Sequence, residues 1–463
     1  MTTETVHLIG CLGQGMMPLA RLYVALGVQV SGCDRRATTD LGYVEADVLR
    51  RDGVSVDVHD ERHISRNVSL VVHSVAIGDD HSELMEARRR GIPVISRPVA
   101  LARLVSAIAD RMVAVSGVTG KTTTTGLTSQ LLRQLGSDTL TYIGSPLQGM
   151  RSDIVGPYAD IAVVEACEYN FGMLELEPDV AAVMSMYWGE HSSCYLDLDS
   201  VHEAFFRFLA RAPVGVVPAG EVELAAKVRR ANRATEILTF GSDSTADVQL
   251  TSARIGPEGT IAEYRVLGTE IRAHLSFAGL HNMDNLGAAM ACITGSGSSV
   301  DALRDIDFSR LRLPRRRFEF VGKRSGTDYF DDFAHNPMQI DATSSMLRQL
   351  YTGKLGAFYL PSGFGRLHAF GDQYVDALGH FDRVVLAPSC RVFEDAPNVP
   401  DESRFAEITV AKLCARGVDA EVVGVDEVTL DMFEGCAAAC FCGALRLAGV
   451  LRSLFRIDDR SST

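Results

Sequence analysis

Apolar positions along this chain fall into short runs, each followed by a segment whose apolar residues recur at helical spacing. That alternation predicts strands joined by helices. VHLIG leads through a glycine-containing turn into MMPLARLYVALG, and VQVSGCD follows. The order strand, helix, strand is a nucleotide-binding type of βαβ opening. Apolar runs at 70–75 and 92–95 add strands to a first unit ending near residue 108. MVAVSG at 112–117 starts a second unit, and the helical pattern TTTTGLTSQLLRQLG begins directly after Gly120 and Lys121. IAVVEA, VAAVMSM and VGVVPA are continuous apolar runs, as expected of strands covered on both faces of a parallel sheet. The polar, alternating stretch 247–277 predicts an antiparallel addition. Beyond the helix-like NMDNLGAAMACITG, Pro314 and an arginine run punctuate the chain near 313. DYFDDF, LGAFYLP, RVVLAP and AEVVGV then read as strands of a third unit. The expected architecture is α/β in three domains, 1–108, 109–313 and 314–463.

Length agrees with that division, since 463 residues make about three domains at roughly 150 residues each. A chain that is 46% hydrophobic and 22% charged can bury sizeable cores, which excludes a disordered protein. The formal charge of -14 argues against nucleic acid as a partner, because such proteins concentrate Lys and Arg. Arg315, Arg316 and Arg317 form a local basic run that serves either one anionic ligand or a solvated turn. No apolar run reaches the roughly 20 residues of a membrane span. Ten cysteines at irregular spacing, without a C-x-x-C pair or a secretory leader, fit a reduced, cytoplasmic setting. Cys436, Cys440 and Cys442 cluster without neighbouring histidines and read as buried thiols. No motif bears on oligomeric state.

The strongest chemical signal is the segment Gly117, Val118, Thr119, Gly120, Lys121, Thr122, Thr123, placed between a strand and a helix. There, backbone N–H groups and the helix dipole can hold phosphate oxygens. The two glycines permit close backbone approach, Lys121 can neutralise the β- and γ-phosphates of ATP, and the Thr122 hydroxyl can ligate Mg2+. The alternative of a mere tight turn leaves the lysine and the hydroxyls without a purpose. A weaker signal is Gly10-Cys-Leu-Gly-Gln-Gly-Met, where Leu12 occupies the place of a second glycine. Asp34 ends the second strand, where a ribose contact is made in Rossmann folds. Glu165, and Glu190 with His191, follow apolar strands, where open α/β sheets collect ligands. They are candidates for a magnesium shell or for orienting phosphate, or are ordinary hydrogen-bonded residues.

Taken in order, HLIG with GQGM, SGCD, VAVSGVTGKTTTT, VVEACEY, GLHNMDNLGAA, RRRFE, DDFAHNP and LPSGFGR resemble the Mur ligase family over nearly the whole chain. The resemblance implies a Rossmann-like N-terminal domain for a UDP-sugar, a central P-loop ATPase domain, and a C-terminal α/β domain that brings the amino acid. It places Gly13, Gly15 and Met16, with Asp34, on the UDP moiety, and Ser74 and Arg97 in the same cleft. For ATP it implies Lys121 and Thr122 on phosphate and metal, Glu165 and His191 on Mg2+, and Asn282 and Asn285 near adenine. Arg317 and Asp332 would clamp phosphate and ribose. His335 and Arg366 would reach in from the last domain, Arg366 toward the carboxylate of the incoming amino acid, for which its planar fork is suited. The reaction implied is ATP-dependent amide formation between the carboxylate of UDP-N-acetylmuramate and L-alanine through an acyl phosphate, a step of peptidoglycan precursor synthesis.

Departures from the alanine-adding pattern cluster where substrates are expected. Leu12 replaces a glycine, Val118 and Thr119 stand for Thr-His, Ser192 and Ser193 alter an acidic motif, Asn336 replaces a second histidine, and the loop at Gly363 lacks a His-Arg-Tyr element. Two alternatives follow: a related ligase that joins another amino acid or a peptide to a muramoyl or other carboxylate, and an ATP-sensing protein without turnover.

Overall fold

A computed structural model describes residues 4–38, 40–65, 67–148, 158–189, 194–256, 259–361, 364–388, 403–443 and 446–455. Among these, three sheets each carry one part of the chain, and the expected three-part α/β architecture is found.

The first sheet is parallel, in the order Ser55–Asp57, Gln29–Cys33, Thr5–Ile9, Leu70–His73, Val94–Ser96. Thr5–Ile9 and Leu70–His73 are neighbours at the point where the strand order reverses, and ligands of open α/β sheets bind in the crevice there. Side chains alternate across the central strand. Leu8 packs with Leu19 and Leu22 of the helix Met16–Ala25, while Ile9 packs with Leu84 and Ala87 of the helix Ser82–Arg89 on the other face.

The helix Arg97–Ile108 runs straight into the strand Ala109–Ser116, so the first two sheets share a continuous core that contains Val105, Ile108, Met112 and Ala114. That strand lies inside a nine-stranded sheet, between Val180–Val183 and Ala159–Glu165. Val113 and Val115 face the helices Lys121–Gln134 and Leu280–Gly295 through Leu127, Leu131 and Met290. The opposite face meets Phe205 and Phe208 of the helix Leu198–Leu209. Cover on both faces is the reason for the unbroken apolar runs in IAVVEA and VAAVMSM. The polar stretch after 247 forms Val248–Gly256, Gly259–Val266 and Thr269–Leu275, antiparallel to one another as expected and continuous with the parallel strands through Glu236–Gly241.

The third sheet runs Glu319–Arg324, Thr327–Asp332, Ala438–Gly443, Leu355–Leu360, Arg383–Leu386, Asp419–Val422. The first pair is antiparallel and the rest are parallel. Ala438–Gly443 is central to this sheet, and it holds Cys440 and Cys442 fully buried. The cysteine cluster is therefore packing, and every described cysteine is a free thiol. AEVVGV contributes only its beginning, as part of Asp419–Val422. No described helix is long and apolar enough to cross a membrane.

Candidate active site

The candidate phosphate-binding loop is built by its two glycines. Gly117 has φ +125, and a Cβ there would lie 2.8 Å from the Met184 backbone nitrogen. Gly120 has φ +86 and caps the helix Lys121–Gln134, and a Cβ there would lie 2.7 Å from Asn285 Oδ1. Any side chain would be both strained and obstructed. Gly120 provides no side-chain cap, so the first N–H groups of the helix face the site. The loop is pinned from below: Val118 N–H donates to Ser185 O at 3.0 Å and Thr119 N–H to Ser185 Oγ at 2.8 Å.

Lys121 Nζ donates to Gly117 O at 2.6 Å and to Glu168 Oε1 at 3.1 Å. Glu168 is buried, 1% exposed. Burial is the largest influence on Lys121 and pulls its pKa down, but the charges of Glu168, Cys167 and Glu165 offset it and the net shift is upward, so the ammonium stays charged. The Thr122 hydroxyl donates to Glu165 Oε1 at 2.9 Å, while Glu165 Oε2 accepts from Gly144 N–H at 2.8 Å. A hydroxyl and a carboxylate this close are hard oxygen donors of the kind Mg2+ takes, so the residues present fit that ion. Thr123 lines the adjoining cavity.

Two other domains reach this point. From the third, Arg317 Nη2 donates to Thr122 Oγ1 at 3.3 Å. From the first, Arg97 opens its helix against Gly15, where a Cβ would lie 3.0 Å from the guanidinium, and its Nη1 donates to the Tyr142 hydroxyl at 3.5 Å. That hydroxyl donates in turn to Gly15 O. Arg97 is buried, 8% exposed, and no described carboxylate lies within ion-pair distance of it. Burial pulls its pKa down most, and Tyr142, Cys167 and Glu165 outweigh that pull. Glu165 is thus joined to Thr122 and, through the Thr122 hydroxyl, to Arg317 of the third domain.

Beside the loop lies a cavity of about 510 Å³ lined by residues of the second and third domains, among them Thr119, Gly120, His281, Asn282, Asn285, Arg317 and Asp332. That volume suits a nucleoside. Asn285 Oδ1 accepts from Thr124 Oγ1 at 3.3 Å, and Asn282 Nδ2 donates to Ala278 O at 2.7 Å, so both amides are oriented from behind. Burial raises Asp332 to about 6 despite the Arg317 charge, and Thr343 Oγ1 donates to its Oδ2 at 3.0 Å. Burial, followed by Arg317, lowers His281 to about 4.

In the first domain, Gly13, Gly15 and Met16 follow Thr5–Ile9, and Ser74 follows Leu70–His73, so all four sit at the crevice where the strand order reverses. Asp34 is buried, accepting from Leu12 N–H at 3.1 Å and Arg36 N–H at 2.9 Å, which braces the loop at its base. His335 and Arg366 lie in the third domain, outside the cavity lining. His335 Nδ1 is 2.7 Å from Phe333 O, and Arg366 is carried by the helix Phe364–Phe370. Asn336 caps the helix Pro337–Leu350 and donates to the Tyr187 hydroxyl at 2.9 Å, bridging to the second domain. Glu190, His191, Ser192 and Gly363 lie outside the described residues. Sequence reasoning missed Glu168, Ser185 and Tyr142, although Glu168 stands three residues after Glu165 in VVEACE.

Comparison with known proteins identifies the family. Residues 5–108 match the model of the Mur ligase family catalytic domain, 115–293 the Mur ligase middle domain, and 316–427 the Mur ligase glutamate ligase domain. The chain is 35% identical to the UDP-N-acetylmuramate--L-alanine ligase of Acidothermus cellulolyticus, over 82% of this chain and 79% of that one. It is 31% identical to that of Rubrobacter xylanophilus, over 91% of each. The crystal structure of UDP-N-acetylmuramate-alanine ligase from Thermotoga maritima superposes with TM-score 0.80 at 20% identity, covering 99% of both chains. A murein peptide ligase from Psychrobacter arcticus superposes at 0.70 with 21% identity, covering 98% of both. With its three domains matched in order by three family models, the chain belongs to the Mur ligase family.

Proposed function

We propose that this chain joins the carboxylate of UDP-N-acetylmuramate to L-alanine in the cytosol, using ATP and passing through an acyl phosphate. The observation that carries the reading is the loop at 117–122, where Thr122 Oγ1 lies 2.9 Å from Glu165 Oε1 and 3.3 Å from Arg317 Nη2 of the third domain, beside the charged Lys121. Two cations from two domains beside one loop are suited to holding anions against each other, as phosphoryl transfer to a carboxylate requires. The alanine ligases at 35% and 31% identity support the choice of substrates.

In this reading 1–108 binds the UDP-sugar, 109–313 binds ATP, and 314–463 brings the amino acid. Gly13, Gly15, Met16, Asp34 and Ser74 hold the UDP moiety, and Arg97 steers the muramoyl carboxylate toward the phosphate loop. Asn282 and Asn285 face adenine, Asp332 takes the ribose, and Arg317 reaches the phosphates. The N–H groups from Thr119 to Thr123 cradle the β- and γ-phosphates while Lys121 exchanges the Gly117 carbonyl for phosphate oxygen. Thr122 and Glu165, joined by His191, would hold Mg2+, which supplies charge neutralisation when bound. A carboxylate oxygen attacks the γ-phosphorus, the bond to the bridging oxygen breaks, and ADP departs. The alanine amine, placed by Arg366, then attacks the acyl carbon, and the tetrahedral adduct collapses to amide and phosphate. His335 and His191 are assigned to orient the amine and accept its proton. Closure of the third domain keeps water from the acyl phosphate.

The test is phosphate release by the purified protein with UDP-N-acetylmuramate across single amino acids and a tripeptide. Alanine-dependent release with an amide product bears the reading out. Release with the tripeptide alone would move it to a peptide-adding ligase, and none with any UDP-sugar would overturn it.

A further inference from the structure

The first domain carries a second constellation, on the sheet face away from the helix Met16–Ala25. His7 comes from the central strand and Cys33 from the end of its neighbour, while His59 and His63 follow Ser55–Asp57. His81 and Glu83 lie at the start of the helix Ser82–Arg89. Glu83 is fully buried and its two oxygens are the hub. Its Oε1 lies 3.0 Å from His63 Nδ1 and 3.5 Å from His7 Nε2. Its Oε2 accepts from Cys33 Sγ at 2.8 Å and lies 3.4 Å from His59 Nδ1 and 3.8 Å from His81 Nδ1.

Two observations set this apart from ordinary polar packing. His7 Nε2 and His81 Nδ1 are buried without a hydrogen-bond partner, although buried polar atoms are nearly always satisfied. The far side of the His7 ring is also anchored: its Nδ1 is 2.8 Å from Ser31 Oγ. Metal-ligating histidines are held in this way, by a hydroxyl or carboxylate on the nitrogen that does not bind. The donor atoms of His7, Cys33, His63 and Glu83 all lie within 4.8 Å of one another. A tetrahedral zinc cage with bonds of about 2.0–2.3 Å sets its ligand atoms roughly 3.3–3.8 Å apart.

We propose that His7 Nε2, Cys33 Sγ, His63 Nδ1 and one Glu83 oxygen form a tetrahedral site for a single Zn2+-class cation, with His59 and His81 flanking it. The donor set of two imidazoles, a thiolate and a carboxylate favours such an ion over Mg2+, which takes oxygen ligands. On binding, the Cys33 S–H bond breaks, a sulfur–metal bond forms and the proton leaves to solvent past His59, whose Nδ1 is 3.0 Å from Sγ. The cation offsets the buried Glu83 charge. It also stiffens the glycine loop, because Cys33 O accepts from Gly10 N–H at 2.8 Å and Cys11 N–H at 3.0 Å, and Asp34 is the next residue.

The test uses the full chain, stripped with chelator and dialysed against Co2+ in excess Mg2+. One equivalent of Co2+ should be retained, with the intense visible bands of a tetrahedral ion and a sulfur-to-cobalt charge-transfer band, both erased by Zn2+. Cys33→Ser should lose the charge-transfer band. Because Cys33 is buried, His63→Gln, at a side chain 25% exposed, is the second variant. It should keep the native circular dichroism and weaken Zn2+ binding by at least about tenfold in competition with a chromophoric chelator. No retained Co2+ in the wild type, or equal retention and spectra in both variants, overturns the proposal.

Discussion

Arg317 donates to the Thr122 hydroxyl at 3.3 Å, so a residue of the third domain completes the phosphate loop of the second. The backbone is bent to allow it. Arg316 and Phe318, on either side, have left-handed φ of 59 and 50, a conformation that costs a non-glycine residue about 1–3 kcal/mol. Arg316 is held by the buried Asp331 at 3.1 Å, and the Arg317 guanidinium sits 5.5 Å from the centre of the Phe333 ring. Strain of this kind persists where the surroundings enforce it, and here it aims one guanidinium at the loop.

Arg317→Ala should therefore lower kcat by about a hundred- to a thousandfold, as removal of one preorganised donor does. Arg317→Lys should recover little of it, because a point charge does not reproduce the planar fork. Steady-state phosphate release, with circular dichroism to confirm folding, checks both. Activity of Arg317→Ala within threefold of wild type would remove Arg317 from the phosphate site.

Lys121→Ala should abolish turnover and also destabilise the protein, because breaking its buried ion pair with Glu168 costs about 3–5 kcal/mol. Lys121→Ala with Glu168→Gln should regain most of the lost stability without regaining activity. Thermal melts and single-turnover assays separate the two effects, and restored turnover in the double variant would refute the assigned role of Lys121.

Burial raises Asp332 from an ordinary 3.8 to about 6, and it faces the nucleotide cavity. As an acid with a raised pKa, it favours the folded form at low pH, and that contribution is lost as pH climbs from about 4 through 6. Nucleotide affinity should run the other way, falling as pH drops through about 6, since a protonated carboxyl no longer attracts the Arg317 charge and is a weaker acceptor for a ribose hydroxyl. Calorimetric titration with ADP between pH 5 and 8 should show that inflection, and Asp332→Asn should lack it. Asp284, raised by burial to about 6 in the same cavity, is the control: Asp284→Asn should keep the inflection if Asp332 is its source.

Local signals were readable in advance. The phosphate loop, with Gly117, Gly120 and Lys121 between an apolar strand and a helix, announces itself because its function depends on backbone geometry at contiguous residues. The parallel strands are equally plain, since cover on both faces demands unbroken apolar runs. Features made by the tertiary fold were not readable. Ala438–Gly443 is central to the third sheet, yet its small residues and cysteines make no run of β-branched or large apolar side chains of the kind that marks the other strands. Glu168 lies beyond the strand that Glu165 ends, and only the tertiary fold brings it against Lys121 at 2.9 Å. The residues around Glu83 lie between residues 7 and 83 at no recognisable spacing, and four segments must fold before they meet. Arg97 was placed by the resemblance alone, and its burial beside Gly15 and the Tyr142 hydroxyl comes from the fold.

Central to this account is the transfer of a phosphoryl group to a carboxylate before the amide forms. Turnover of UDP-N-acetylmuramate labelled with heavy oxygen in its carboxylate, with ATP and L-alanine, tests it directly by mass spectrometry of the released phosphate. The account predicts one labelled oxygen in each phosphate formed from fully labelled substrate. Unlabelled phosphate accompanying labelled amide would contradict it.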